Sequence, residues 1–132
     1  HAYFKPVVVH EFGHSFAGLG DEYAYAKEEI NMYPKDVEPW EPNLTTLVDF
    51  HNKWEGMIDK KTPLPTPEPT DLDKPNARRD KWKVGAYEPA GYAQHGVYRA
   101  YPACRMRTNA HPEFCPACTQ AITQLIKFYT GE

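Results

Sequence analysis

The chain has 132 residues and a formal net charge of −3, which sets it at one domain with a modest core. It has no basic footprint, so nucleic acid is not an expected partner. It also has no run of about 18 apolar residues with which to span a membrane.

The first element is Pro6 to Tyr23, PVVVHEFGHSFAGLGDEY. His10-Glu11-Phe12-Gly13-His14 is the H-E-x-x-H pattern of a zinc peptidase helix. Histidines four residues apart share one helix face, so both imidazoles can reach one metal ion at about 2.0–2.1 Å. Glu11 then projects beside the metal, where a base must stand to take a proton from a metal-activated water. Val7, Val8 and Val9 with Phe4, Phe12 and Phe16 make the segment apolar, and the helix is expected to be buried on most sides. Two histidines and a glutamate in such a setting need a partner, and a zinc ion supplies one. Gly18 and Gly20 end the helix, and the chain turns to Asp21 as the third ligand, with Glu22 as its rival. The plainer alternative is a buried helix whose histidines are satisfied by hydrogen bonds alone.

Tyr23 to Pro42 is aromatic, acidic and broken by prolines, which predicts an ordered loop packed on the domain. Asn43 to Ile58 carries Leu44, Leu47, Val48, His51, Trp54 and Ile58 at helical spacing, with Asn43 or Thr45 as cap. His51 falls on the apolar side as a packed histidine. Asn43-Leu44-Thr45 matches a glycosylation sequon, a weak signal by itself. Thirteen prolines are many for this length, and Thr62 to Pro69 alternates four of them, predicting a stiff, extended polyproline II connection. Lys81 to Tyr101 reads as a β-hairpin turning through Ala90-Gly91-Tyr92. Pro116 opens a last helix whose Cys118, Ala121, Ile122, Leu125, Ile126 and Tyr129 form one core-facing stripe.

The first element resembles the metzincin pattern H-E-x-x-H-x-x-G-x-x-H, in which a glycine turn returns a third ligand to the metal. It departs from that pattern in having Ala17 at the glycine position, with Gly18 one position later, and in offering as third ligand an aspartate that follows His14 after six intervening residues instead of five. Metzincins also place a methionine turn beneath the zinc, between the sheet region and the last helix, and Met106 is the residue in that position. HEFGHSFAGLGDEY, EPNLTT, TPLPTP, VGAYEPAGYAQHGVYR and CRMRTNAHPEFCPAC together resemble the IgA-peptidase family of zinc metallopeptidases from gut bacteria. The resemblance implies an α+β, metzincin-like zincin composed of active-site helix, β-hairpin, methionine turn and C-terminal helix. It implies that His10, His14 and Asp21 bind zinc, that Glu11 is catalytic, and that the enzyme is secreted or at the cell surface. A metzincin catalytic domain has a sheet upstream of its zinc helix. Residues 1–132 are therefore expected to be a single domain that forms the C-terminal part of a longer catalytic domain, with that upstream part as a partner.

The function so implied is zinc-dependent endopeptidase cleavage of a protein or peptide substrate, with Glu11 as general base. Tyr92, His95, Tyr98 and Arg99 precede the methionine turn and are candidates for substrate contact or oxyanion stabilisation. The alternative is a zinc-stabilised binding module or an inactive fragment, and an open fourth metal position distinguishes catalysis from structure. Cys104, Cys115 and Cys118 are an odd number. For an exported protein a disulfide from Cys104 to Cys115 or Cys118 is preferred. A partial resemblance to the four-cysteine zinc site of archaemetzincins, from which the chain departs in having Glu22 where one more cysteine would stand, keeps a second zinc open with three cysteines and His111 as ligands. Free thiols and a redox C-x-x-C complete the alternatives.

Overall fold

Pro6 lies in the first turn of helix α1, Phe4–Ala17, where a backbone N–H has no partner inside the helix and its absence costs nothing. The helix ends where Gly18 takes a left-handed φ of +66°. The Gly18 N–H still reaches the His14 carbonyl at 3.1 Å. Residues 4–25, 32–108 and 113–131 are described by this computed structural model. A second helix, α2, Pro116–Thr130, packs against α1. Pro116 opens it, and Gly131 closes it with φ +76° and an N–H on the Lys127 carbonyl.

The expectation that α1 is buried on most sides does not hold. Val8 and Phe12 are 49% and 48% exposed, and Val7 and Val9 are exposed as well. Only the face bearing Gly13 is closely covered, by Met106, Phe114 and Leu19. Among the described elements α2 alone packs on α1, so its other faces have nothing to bury them. The stripe on α2 is likewise only partly core. Ala117 and Cys118 are buried and Ala121 and Ile122 pack beside them, whereas Ile126 and Tyr129 are exposed. The Phe16 and Tyr129 rings lie 6.3 Å apart and continue an uncovered apolar ridge across both helices.

The helix expected over Asn43 to Ile58 is replaced by irregular backbone with one 3-10 turn, Glu55–Met57. Thr45 pairs with Tyr98 as an isolated antiparallel bridge, and Leu47 has φ +68°, neither compatible with a helix. The helical spacing came from Leu44 and Trp54, which are buried from this irregular path, while Val48 is exposed. Lys53 supplies what helical hydrogen bonds would otherwise satisfy. Its ammonium donates to the carbonyls of Pro39 and Leu44 at 2.6 and 2.7 Å and pairs with Glu38 at 2.7 Å. His51 is exposed and bonded to Asp49 at 2.9 Å, not packed on an apolar face.

The hairpin over Lys81 to Tyr101 closes at the expected turn but does not form strands. Gly91 and Tyr92 both have positive φ, +57° and +67°, as a two-residue primed turn requires. Ala90 and Ala93 bridge across it, and Tyr87 bridges Arg99. Between the two bridges Pro89 can donate nothing to a ladder, and Gly96 donates instead to the Glu88 carboxylate at 2.6 Å. The expected α+β layout therefore reduces, among the described residues, to two α-helices, two 3-10 turns and isolated bridges. A cis peptide at Leu64–Pro65 interrupts the expected polyproline II segment. Thr66 then docks on Ala86, its N–H reaching the Ala86 carbonyl at 2.7 Å. Of the Tyr23 to Pro42 loop, residues 26–31 lie outside the described residues. Tyr33 packs as expected, whereas Trp40 is exposed.

One apolar cluster joins Leu19, Phe50, Trp54, Met106 and the start of α2, and a smaller one joins Leu44 to Ala90, Ala93 and Val97. The candidate site lies on α1 and the turn after it, beside the first cluster at Leu19 and Met106. No helix among the described residues is long and apolar enough to cross a membrane.

Candidate metal centre

His10 and His14 stand one turn apart on α1, and each imidazole is fixed by a backbone carbonyl. His10 Nδ1 is 3.0 Å from the Arg105 oxygen, and His14 Nδ1 is 2.6 Å from the Leu19 oxygen. A carbonyl only accepts, so each Nδ1 carries the hydrogen and each Nε2 presents a lone pair. Those lone pairs face one another and a carboxylate. His10 Nε2, His14 Nε2 and Asp21 Oδ1 form a triangle with all three edges 3.0 Å. Three ligand atoms at that separation suit a shared cation. Ligand atoms bound at about 2.0–2.2 Å to one zinc stand this close to one another. Asp21, His10 and His14 are accordingly a group that could hold a metal ion, with Asp21 buried and the histidines half-buried.

The turn that brings Asp21 back is held from three directions. The Asn43 side chain brackets Gly20, accepting from its N–H and donating to its carbonyl, both at 2.8 Å. Gly91 N–H donates to the Asp21 carbonyl at 2.9 Å, and Tyr92 N–H to the Tyr23 carbonyl at 2.8 Å. The Tyr92 hydroxyl donates to Asp21 Oδ2, leaving Oδ1 for the histidines. Burial, with the hydrogen bond and charge of Asp21, pushes the Tyr92 phenol above its ordinary pKa. The hairpin turn thus orients the carboxylate.

Met106 is fully buried, and its sulfur stands so close to Gly13 that a Cβ there would be 2.7 Å from it. Glu11 is exposed on α1 beside His10. A cavity of about 280 Å³ opens next to the triangle, lined by His14, Asp21, Trp40 and Tyr92 among others.

The remaining candidates for substrate contact are not brought to this place. His95 is exposed and lies 3.4 Å from Glu88. Tyr98 is buried in its pairing with Thr45. Arg99 is wholly buried and structural, donating to the Pro89 and Pro102 carbonyls at 2.9 and 3.1 Å and pairing with Glu68 at 2.5 Å. Each is held by main-chain or ion-pair partners that short-range spacing does not reveal.

The three cysteines are all free and buried, so the preferred disulfide is not formed. Cys104 Sγ and Cys118 Sγ stand 3.6 Å apart, against about 2.05 Å for a bond. His111, the other suggested partner, lies outside the described residues. Glu22 turns away from the histidines and into the cysteines instead. Burial, and after it negative charge on the Cys104 sulfur, pushes its carboxyl well above the usual range. Asn43, expected as a helix cap, instead holds the site by bracketing Gly20 and donating to Glu22. The signal that could have found it is a buried amide opposite a glycine turn with no side chains of its own.

Among curated proteins none matches the chain. The family described as IgA peptidase M64 matches residues 1–81 and 75–126, nearly the whole length, and the chain belongs to this peptidase family.

Proposed function

We propose that the chain carries the catalytic metal site of a zinc-dependent endopeptidase of metzincin type. The observation that carries this reading is the triangle of His10, His14 and Asp21, three acceptor atoms 3.0 Å apart with both histidine tautomers fixed by carbonyls. Three donors beside an open cavity fit a catalytic site, where a closed set of four fits a structural one. His10, His14 and Asp21 would hold the zinc, which would supply Lewis-acid polarisation of a scissile carbonyl and activation of the attacking water.

The chain's own residues do the rest. Glu11, exposed beside His10, takes a proton from the attacking water and hands it to the leaving amine. Asp21 is held by Tyr92 so that one oxygen faces the histidines. Met106 supports the helix beneath them through Gly13. The cavity beside His14 and Trp40 receives a substrate side chain. The substrate is a protein or peptide, and the location is the secreted or cell-surface one that the resemblance implies.

The test is peptidase activity of the full-length protein on unfolded protein and quenched fluorescent peptides. Activity should vanish with a chelator and return with zinc. Glu11→Ala should keep the metal and lose about 10²–10⁴-fold in rate, the contribution of a general base. Activity that survives either treatment overturns the reading.

A further inference from the structure

We propose that Glu22, Cys104, Cys115 and Cys118 form a second metal site, closed and structural, that takes a zinc ion independently of the histidine site. The four offer one ligand atom each within 4.8 Å of one another, and all four residues are buried. Three of their separations fit a tetrahedron around one ion. Sulfurs at about 2.3 Å and a carboxylate oxygen at about 2.0–2.2 Å from zinc stand roughly 3.5–3.8 Å apart. The observed separations are 3.6 Å for Cys104–Cys118, 3.2 Å for Glu22–Cys118 and 3.9 Å for Glu22–Cys115.

Two further observations point to an ion and not to a packed thiol cluster. The Cys104 sulfur accepts two backbone hydrogen bonds, from Cys115 N–H at 3.1 Å and Met106 N–H at 3.5 Å. Such donors favour a thiolate, the form that binds metal. Glu22 Oε1 is buried and has no hydrogen-bond partner among the described residues, while Oε2 receives Asn43 at 2.8 Å. A buried carboxyl with one oxygen unpartnered and three sulfurs around it is a donor set that a cation would complete. Thiolate-rich, four-donor and without an open position, the set suits zinc in a structural role. Each thiol that binds releases its proton to solvent.

The position explains what the ion would do. Cys104 begins the turn that bears Met106 and the Arg105 carbonyl, the carbonyl that orients His10. Cys115 and Cys118 begin α2. Glu22 is the residue after Asp21, and its N–H donates to the Met106 carbonyl at 3.0 Å. One ion therefore pins together the three segments that place the histidine site, in a region whose regular backbone hydrogen bonding is sparse.

The experiment is metal stoichiometry and cobalt spectroscopy on the intact protein. Purified protein should hold two zinc ions per chain, and His10→Ala combined with His14→Ala should retain one. Cobalt in that double variant should show thiolate charge-transfer absorption and tetrahedral d–d bands. Glu22→Ala should weaken this metal at least about tenfold, whereas Glu22→Cys, which preserves four donors, should keep it and strengthen the thiolate band. The Glu22→Cys arm covers the case in which Glu22→Ala fails to fold. One zinc in the parent with none in the histidine variant, cobalt without thiolate absorption, or a mass two hydrogens short from a disulfide overturns the proposal. Each leaves the peptidase reading untouched, because that rests on the histidine site.

Discussion

Asp21 and Glu22 are consecutive in the chain, yet their carboxylates enter different clusters. Asp21 Oδ1 lies 3.0 Å from both histidines, and Glu22 Oε2 lies 3.2 Å from Cys118. The turn after Gly18 makes this division, carrying Asp21 to the histidines and Glu22 to the cysteines. Asp21→Asn should weaken the histidine-site metal by more than about 100-fold, since removing a ligand costs more than removing its support. Competition with a chromophoric chelator measures it, and the thiolate-ligated cobalt signal should not change.

Tyr92 touches the site through Asp21 Oδ2. Tyr92→Phe should lower metal affinity by about 10- to 100-fold, as loss of an orienting hydrogen bond does, with little change in folding midpoint. An unchanged affinity would show that Asp21 needs no such guide.

Gly13 separates the histidines from Met106. Alanine there would gain roughly 1 kcal/mol of helix propensity, but its Cβ would meet the Met106 sulfur at 2.7 Å and Phe114 at 3.1 Å. Overpacking of this kind costs about 1–3 kcal/mol, so Gly13→Ala should be net destabilising by about 1 kcal/mol in chemical denaturation.

Asn43 is fully buried, with its amide committed to Gly20 and Glu22. Asn43→Ala should cost about 3 kcal/mol, because it leaves buried backbone groups unpaired. For the same reason folded protein should carry no glycan at the Asn43 sequon, which peptide mass mapping can check.

Arg99 was a candidate for substrate contact and is a buried staple instead. Arg99→Lys should lower stability by about 2 kcal/mol, since an ammonium cannot span the carbonyls that the guanidinium fork bridges. KM for a peptide substrate should stay the same, and a selective rise in KM would restore the substrate role.

What the sequence determined by itself is local. Histidine spacing of one helical turn puts His10 and His14 on one face, and Gly18 ends α1, because both follow from the rise of a helix and the steric freedom of glycine. Gly91-Tyr92 as a turn and Pro116 as a helix start were legible for the same reason. Tertiary structure decided the rest. Helical spacing from Leu44 to Ile58 was misleading, because burial of Leu44 and Trp54 is set by partners such as Val97 and Gly85, far along the chain. Trp54 reaches the Gly85 carbonyl at 2.7 Å, and no local pattern encodes that. The division of labour between Asp21 and Glu22 was also beyond the sequence. It depends on where Cys104, Cys115 and Cys118 are carried by the Met106 turn and α2, and a carboxylate chooses its cluster by the donors that surround it once the chain has folded.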